Sequence, residues 1–509
     1  MNGRTLMVQG TASSVGKSLI AAAFCRILRN CGMSVAPFKA QNMALNSFVT
    51  PDGFEIGRAQ AVQAEAAGIP PAVEMNPILL KPEPGMRSQV VVMGRPVASM
   101  SFRDYHAMRP ELVRVIHDAL ARLRAAHDFV VIEGAGSPAE INLRSQDLVN
   151  MHVARVADAP VVLVGDIDRG GVFAQFVGTL DLLEPADRGR VAAFLINKFR
   201  GDATLLGPGI EYLEERFGIP MLGVAPFIAD LKIADEDSVA LENRRGRRAA
   251  NGDLDIAVIQ LPHISNYDDF LPLEHERGVC VRFVRRGDEI GAPDLLIIPG
   301  TKSTVADLAW MRASGLADAV VARARRREPV IGICGGCQML GRRIDDPYGV
   351  EAAVESAPAL GLLPITTRFA REKRTAQVRA RAIAPSVFTG MSPEDIGEIS
   401  GYEIHMGGIE RDADAAPCFE ILRRNSVAVN AADGAVAGRA GAVAGTMIHG
   451  IFDNDRLRAR MLAWLGSRRG DAAPAFKSSF SRDAEYDRLA SVVRENINWP
   501  LFERIAGLA

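Results

Sequence analysis

Six short apolar runs in the first half of the chain constrain its fold more than any other feature. They are "TLMVQG" (5–10), "SVAPFK" (34–39), "DFVVIEG" (128–134), "PVVLVGD" (160–166), "VAAFLIN" (191–197) and "PMLGVAP" (220–226). They lack the polar alternation of a half-solvated strand, so both faces of each must be covered. Helical stretches separate them. Between the first two, Leu19, Ile20, Ala23, Phe24, Ile27 and Leu28 share one helical face, and Gly32 supplies a stop. Alternating strands and helices predict an α/β fold built on a parallel sheet.

A polar, basic stretch, "LENRRGRRAANGD" (241–253), interrupts this pattern. The pattern then restarts with "LDIAVIQLP" (254–262), "PDLLIIPG" (293–300) and "PVIGICGG" (329–336). Residues 371–383 alternate like a strand with one wet face, and 485–497 form an amphipathic helix. The expected division is therefore a first α/β domain over 1–240, a linker over 241–253, a second α/β domain over 254–465 and a helical extension over 466–509. A chain of 509 residues is in any case too long for one core.

The net charge of −2 offers no basic field for nucleic acid or anionic lipid. No apolar run nears the roughly 20 residues of a membrane helix. The first residues, "MNGRTLMVQG", lack the features of a signal peptide, and six cysteines in this length suit a reducing compartment. A cytoplasmic protein is expected. The sequence leaves homo-oligomerisation open.

"GTASSVGKS" (10–18) joins the first strand to the first helix. A helix start offers unpaired N–H groups and the positive end of the dipole, which suits phosphate oxygens. Gly10, Thr11 and Gly16 shape the loop, Lys17 brings charge to the phosphates of ATP, and the hydroxyl of Ser18 suits Mg²⁺. Five residues separate the two glycines, where the usual phosphate loop has four. Glu133 ends a strand at the edge where ligands bind in such sheets. It is a candidate for Mg²⁺, directly or through water, with a buried ion pair as the alternative. Asn197 ends another strand and suits either a nucleobase edge or a plain turn.

In the second domain "GICGGCQMLG" (332–341) has three readings. Cys334 and Cys337 have the spacing of a zinc or redox pair; one of them is a nucleophile on a sharp turn; or both are small core residues. No second C-x-x-C exists to complete a zinc site. Cys334 sits between an apolar run and a helix, as a nucleophile elbow does. Gly335 and Gly300 can then offer backbone N–H groups to an oxyanion. The base is His449, in "GTMIHGIFDN", or His405, in "GYEIHMGG".

"PGTKST", "GICGGCQMLG" and "GTMIHGIFDN" resemble the class I glutamine amidotransferase domain of the cobyrinate-amidating family. "QGTASSVGKS", "FKAQNMALNS", "EIGRAQAVQAEAAG", "MNPILLKP", "VIEGAGSPAEINL" and "DIDRGGVFA" extend the resemblance over residues 4 to 460. It implies a dethiobiotin-synthetase-like P-loop domain followed by a flavodoxin-like amidotransferase domain. It assigns Cys334 as nucleophile and His449 as base. Many such glutaminases carry Glu two residues after the histidine; here Ile451 stands there, so a Cys-His dyad is expected. The implied reaction is ATP- and glutamine-dependent amidation of the b, d, e and g carboxylates of adenosylcobyrinic acid a,c-diamide. Lys39, Gln41, Asn42, Asn46, Arg58 and Gln60 are candidates to meet that corrinoid, each alternatively belonging to a solvated helix face, and Arg144 and Asp147 are candidates to line the phosphoryl-transfer site. Amidation of the a and c positions is the nearest rival activity, and a partition-type ATPase with an inert second domain is another.

Overall fold

The strand Arg4–Gly10 is buried at every residue after Arg4 and lies between two equally buried neighbours, Phe129–Glu133 and Val161–Asp166. Each fully buried Val, Leu or Ile there contributes about 1.5–3 kcal/mol, which ties the continuous apolar runs to the centre of a covered sheet. In the computed structural model this sheet has six parallel strands. Their order is Met221–Pro226, Val191–Phe199, Val161–Asp166, Arg4–Gly10, Phe129–Glu133 and Val35–Phe38. The structure describes residues 2–83, 85–234, 249–250, 252–351, 354–413, 415–437, 441–470 and 481–508.

The chain forms two compact units. One comprises Met1–Ala44, Glu55–Asp237 and Ser481–Ala509; the other comprises Leu45–Phe54 and Ser238–Phe480. Most of the expected linker, residues 241–248 and 251, lies outside the described residues. The end of the chain belongs with the first unit. Helices Arg482–Glu495 and Trp499–Ile505 pack on the first helix, Lys17–Asn30. Arg26 pairs there with Asp483 at 2.9 Å and Asp487 at 2.7 Å, and the Phe24 and Phe502 rings meet at 4.9 Å. The first helix is therefore buried well beyond the single face read from its spacing. A four-stranded sheet of Gln41–Met43, Ile78–Glu83, Arg87–Val92 and Arg95–Ser101 completes this unit.

The second unit has its own six-stranded sheet, ordered Val279–Val284, Leu254–Ile259, Leu295–Ile298, Val330–Ile333, Val443–Thr446 and Ala435–Ala437. Only the last strand runs antiparallel. A second sheet is built around the long antiparallel pair Ile365–Ala382 and Glu398–Arg411. The two-residue strand Ile448–His449 joins it, opposite Tyr402 and Glu403. Among the described residues no helix is long and apolar enough to cross a membrane.

Candidate functional site

The parallel register of the first sheet brings the carboxyl ends of its strands to one edge, with Val8 opposite Glu133 and Asp166 opposite Asn197. The loop after Gly10 curls over this edge with Ser14 at φ 59° and Gly16 at φ 99°. Gly16 has a second constraint, since a Cβ there would lie 2.2 Å from Asn197 Nδ2. Three loop carbonyls are held by donors: Ala12 by Lys17 Nζ at 2.9 Å, Ser14 by Lys198 Nζ at 2.7 Å and Val15 by Asn197 Nδ2 at 2.8 Å. These bonds fix the backbone of the loop, whose amides are the donors an anion nest uses. Asn197 thus props the loop through Nδ2. Lys198, which also pairs with Asp166 at 2.7 Å, was not singled out from sequence; the adjacent Asn-Lys pair at a strand end was the available signal. Thr11 donates to Gln175 at 2.8 Å.

Glu133 is fully buried and accepts four hydrogen bonds. Ser18 Oγ at 2.8 Å and Lys39 Nζ at 2.9 Å share Oε1; Gln63 at 2.5 Å and Gln60 at 3.3 Å share Oε2. Asn42 donates to Gln60 at 3.0 Å. So the ion pair offered as the alternative exists, and the Ser18 contact exists beside it. Ser18 gives its proton to Glu133, and a hydroxyl oxygen is the hard donor type that Mg²⁺ takes. That donor arrangement fits Mg²⁺ on Ser18, with Glu133 orienting the hydroxyl. Glu133 itself is paired with Lys39 through the same oxygen that Ser18 bonds.

Other candidates lie elsewhere. Asn46 belongs to the second unit, where its side chain accepts from the Asn266 amide at 2.7 Å. Arg144 pairs with Glu184 and the Leu182 carbonyl on an exposed surface. Asp147 uses its carboxylate on the backbone amides of Val149, Asn150 and His152, which starts a helix. Gln41 accepts from the Tyr105 hydroxyl, and Arg58 lies 3.8 Å from Glu65.

In the second unit the strand Val330–Ile333 runs into Cys334, which adopts φ 49° and ψ −108° and caps the helix Gly335–Leu340. The strained residue is the cysteine itself, as in a nucleophile elbow. Gly336 is required for a different reason: a Cβ there would sit 2.0 Å from the Ile298 carbonyl oxygen. The neighbouring strand Val443–Thr446 anchors Cys334, whose N–H donates to the Thr446 carbonyl at 2.8 Å. Three residues later the same chain delivers His449. Cys337 instead points into the core, and burial raises its thiol well above the ordinary value.

His449 Nδ1 lies 2.6 Å from Asp269 Oδ2, and the other oxygen of Asp269 accepts from Gly450 N–H at 2.7 Å. A carboxylate at Nδ1 makes that nitrogen the protonated one and leaves Nε2 for exchange with Cys334. Burial opposes charge on this ring, yet Asp269 and Cys334 outweigh it and push the imidazole up to about 10. Tyr402 stacks on the ring at 5.4 Å. The expected dyad is therefore a triad. Its acid comes from the turn Tyr267–Phe270, far from Ile451 in sequence although beside it in the fold, and the only sequence signal was an acidic pair inside the apolar "YDDFLPL".

Gly300 and Gly335 converge on this array. A Cβ on Gly300 would lie 2.7 Å from His449 Cε1, and one on Gly335 would lie 2.7 Å from Thr301 Cγ2. Gly335, first in its helix, has an N–H with no intrahelical partner. Asp307, also not foreseen, ties this turn to the loop that leads to Asp269, accepting from Thr301 Oγ1 at 2.5 Å and from His263 Nδ1 at 2.7 Å. His405 is held differently. It lies on the adjacent strand, bonds the Gly407 carbonyl through Nδ1 at 2.7 Å and sits 3.7 Å from Glu403.

Comparison with known proteins accords with both halves. Residues 6–241 match the CobQ/CobB/MinD/ParA nucleotide binding domain, and residues 255–457 match the CobB/CobQ-like glutamine amidotransferase domain. The cobyric acid synthase of Sorangium cellulosum is 61% identical, covering 100% of this chain and 99% of its own. Those of Desulforamulus reducens (49%) and Moorella thermoacetica (50%) each cover 99% of this chain and 98% of their own. The chain belongs to the cobyric acid synthase family. It is a glutamine-dependent amidating ligase of cobalamin biosynthesis with a P-loop nucleotide-binding half, as the sequence motifs implied.

Proposed function

We propose that the chain amidates the b, d, e and g carboxylates of adenosylcobyrinic acid a,c-diamide, using ATP, Mg²⁺ and glutamine, in the cytoplasm. One observation carries the scheme: a single chain holds a complete Cys334–His449–Asp269 array and a phosphate loop closed by Lys17, Asn197 and Lys198.

In the first unit the loop amides and Lys17 take the phosphates of ATP. The γ-phosphoryl passes to a substrate carboxylate, giving an acyl phosphate and ADP. Mg²⁺ on Ser18 supplies charge neutralisation when bound. Lys39 and Gln60, gathered on Glu133, stand ready to orient the carboxylate. In the second unit the thiol proton of Cys334 is already held on His449, and Cys334 Sγ attacks the glutamine amide carbon. Backbone N–H groups of Gly335 and Gly300 receive the oxyanion. The C–N bond breaks, His449 returns the proton, ammonia leaves, and water cleaves the thioester to glutamate. Ammonia attacks the acyl phosphate and expels phosphate, so each carboxylate consumes one ATP and one glutamine.

The test is mass spectrometry of the product formed from the a,c-diamide with glutamine and MgATP. Four added amides are expected. No turnover of the diamide, with amidation of cobyrinic acid at a and c, overturns the assignment. Cys334→Ser removes glutamine-dependent activity and retains activity with ammonium; a variant that releases glutamate at the normal rate removes the nucleophile.

A further inference from the structure

The chain leaves the first unit after Ala44 and re-enters it at Glu55; Leu45–Phe54 between them is built into the glutamine-hydrolysing unit. Within that unit the excursion grips both partners of Cys334. Asn46 Oδ1 accepts from Asn266 N–H at 2.7 Å, and Asn266 Oδ1 accepts from Ser47 N–H at 3.0 Å. Asn266 holds a left-handed conformation, φ 53°, and caps the turn Tyr267–Phe270 that carries Asp269. Its carbonyl accepts from the Asp269 amide at 3.1 Å. Phe48 meets the Tyr402 ring at 5.3 Å, and Tyr402 stacks on His449. Val49 is buried with Tyr402 and Ile404, and the Ile404 carbonyl lies 3.9 Å from Cys334 Sγ. Thr375 fastens the far end by donating to the Gly53 carbonyl at 2.6 Å, and Gln377 donates to the Val49 carbonyl.

The residues flanking the excursion hold the other network. Lys39 and Asn42 precede it and Gln60 follows it, and all three are joined directly or through one partner to Glu133 and so to Ser18 of the phosphate loop. We infer that Leu45–Phe54 couples the two activities: Asn46 and Phe48 are positioning residues of the glutamine site, and the Lys39–Glu133 network at the excursion's roots sets how they hold Asp269 and His449. The positioning role stands on the geometry alone; the coupling rests on the proposed ligase reaction. Occupation of the phosphate loop redistributes the bonds of Lys17, Ser18 and Glu133, and the covalent chain carries that change to Asn46. A small displacement of a hydrogen-bonded general base alters rate steeply, by up to roughly 10²-fold per ångström.

The test uses the full chain with Asn46→Ala, Phe48→Ala and the conservative Asn46→Asp, which keeps the acceptor for Asn266. Glutamate release is measured against glutamine concentration and pH, with and without MgATP plus the a,c-diamide. Ligation is measured separately with ammonium chloride. In the wild type, MgATP and corrinoid raise glutamate release several-fold. In both alanine variants kcat falls roughly tenfold or more with KM held within about twofold, the alkaline limb of the profile moves to lower pH, and the stimulation shrinks toward one. Asn46→Asp restores kcat, and ammonium-driven ligation persists. Unchanged kcat and pH profile in the alanine variants overturn the positioning role. Parallel loss of ammonium-driven ligation also overturns it, and an unstimulated wild type overturns the coupling. If the wild type releases glutamate but amidates no corrinoid, the ligase reading fails while the kcat and pH comparison still judges the positioning.

Discussion

Replacing Asp269 with Asn keeps the shape of the triad acid and removes its charge. The carboxylate takes two donors, His449 Nδ1–H and Gly450 N–H, and an amide has one oxygen to offer them. The imidazole moves from 6.5 to about 10 against burial, a difference equivalent to roughly 5 kcal/mol, of which Asp269 is one of two favourable sources. Allowing the amide one retained bond leaves a loss of about 3 kcal/mol, or roughly 10²-fold in kcat for glutamine hydrolysis. Stopped assays of glutamate release measure it, and ammonium-driven ligation is the internal control and stays at the wild-type rate. The alkaline limb of the glutaminase profile moves toward neutrality, since the ring loses the partner that holds its proton. Stability follows the same sign. A histidine raised on folding stabilises fully below 6.5 and loses that contribution as pH rises through 10, so the melting deficit of Asp269→Asn is largest at and below about pH 6.5, shrinks as pH rises toward 10 and is gone above it. Wild-type glutamate release in Asp269→Asn, or equal loss of both activities with an unchanged melting temperature, refutes the triad.

Gly16→Ala places a Cβ against Asn197 at a left-handed position; equilibrium binding of a fluorescent ATP analogue weakens by at least roughly tenfold while glutamate release by the unstimulated enzyme persists. Arg424→Leu acts on acid stability. Burial works to raise the Glu403 carboxyl, yet His405 and Arg424 hold it down to about 2, so its contribution is present above the ordinary value of 4.5 and is lost as pH falls through 2. Without Arg424 the acid-unfolding midpoint, followed by circular dichroism, moves up by roughly one pH unit. Phe502→Ala empties a fully buried position against the first helix and costs about 3–5 kcal/mol, read as a lower melting temperature together with weaker nucleotide binding.

What the sequence made legible follows from where its signals are local. Continuous apolar runs mark strands covered on both faces, and the six of the first domain, with the three that open the second, all fall in the two central sheets. The phosphate loop and the Cys334 elbow were legible because strand, glycine turn and helix are contiguous there. His449 was legible as one of two candidates, and the register of Thr446 beside Ile333 selects it. Asp269 was not legible. It stands 180 residues from His449, beside a chemically identical Asp268, and only the fold chooses between them. The surroundings of Asn46 were hidden for the same reason: "QNMALNS" sets it four residues from Asn42, and nothing local reveals that the chain changes units between them. The helices of the C-terminal segment show an amphipathic face but not its partner, because Arg26 and Asp487 lie 461 residues apart. In each case the unread part is a contact closed across the chain, whereas the readable part is a pattern of burial or a turn. The distribution has a mechanistic consequence. Residues that attack, cradle or accept a proton sit on local motifs, while the acid that aligns the base and the strap that holds that acid are distant in sequence. Substitutions in the second group therefore leave every motif intact and still lower the rate, and the kcat-to-KM split in Asn46→Ala and Asp269→Asn separates them from losses of binding.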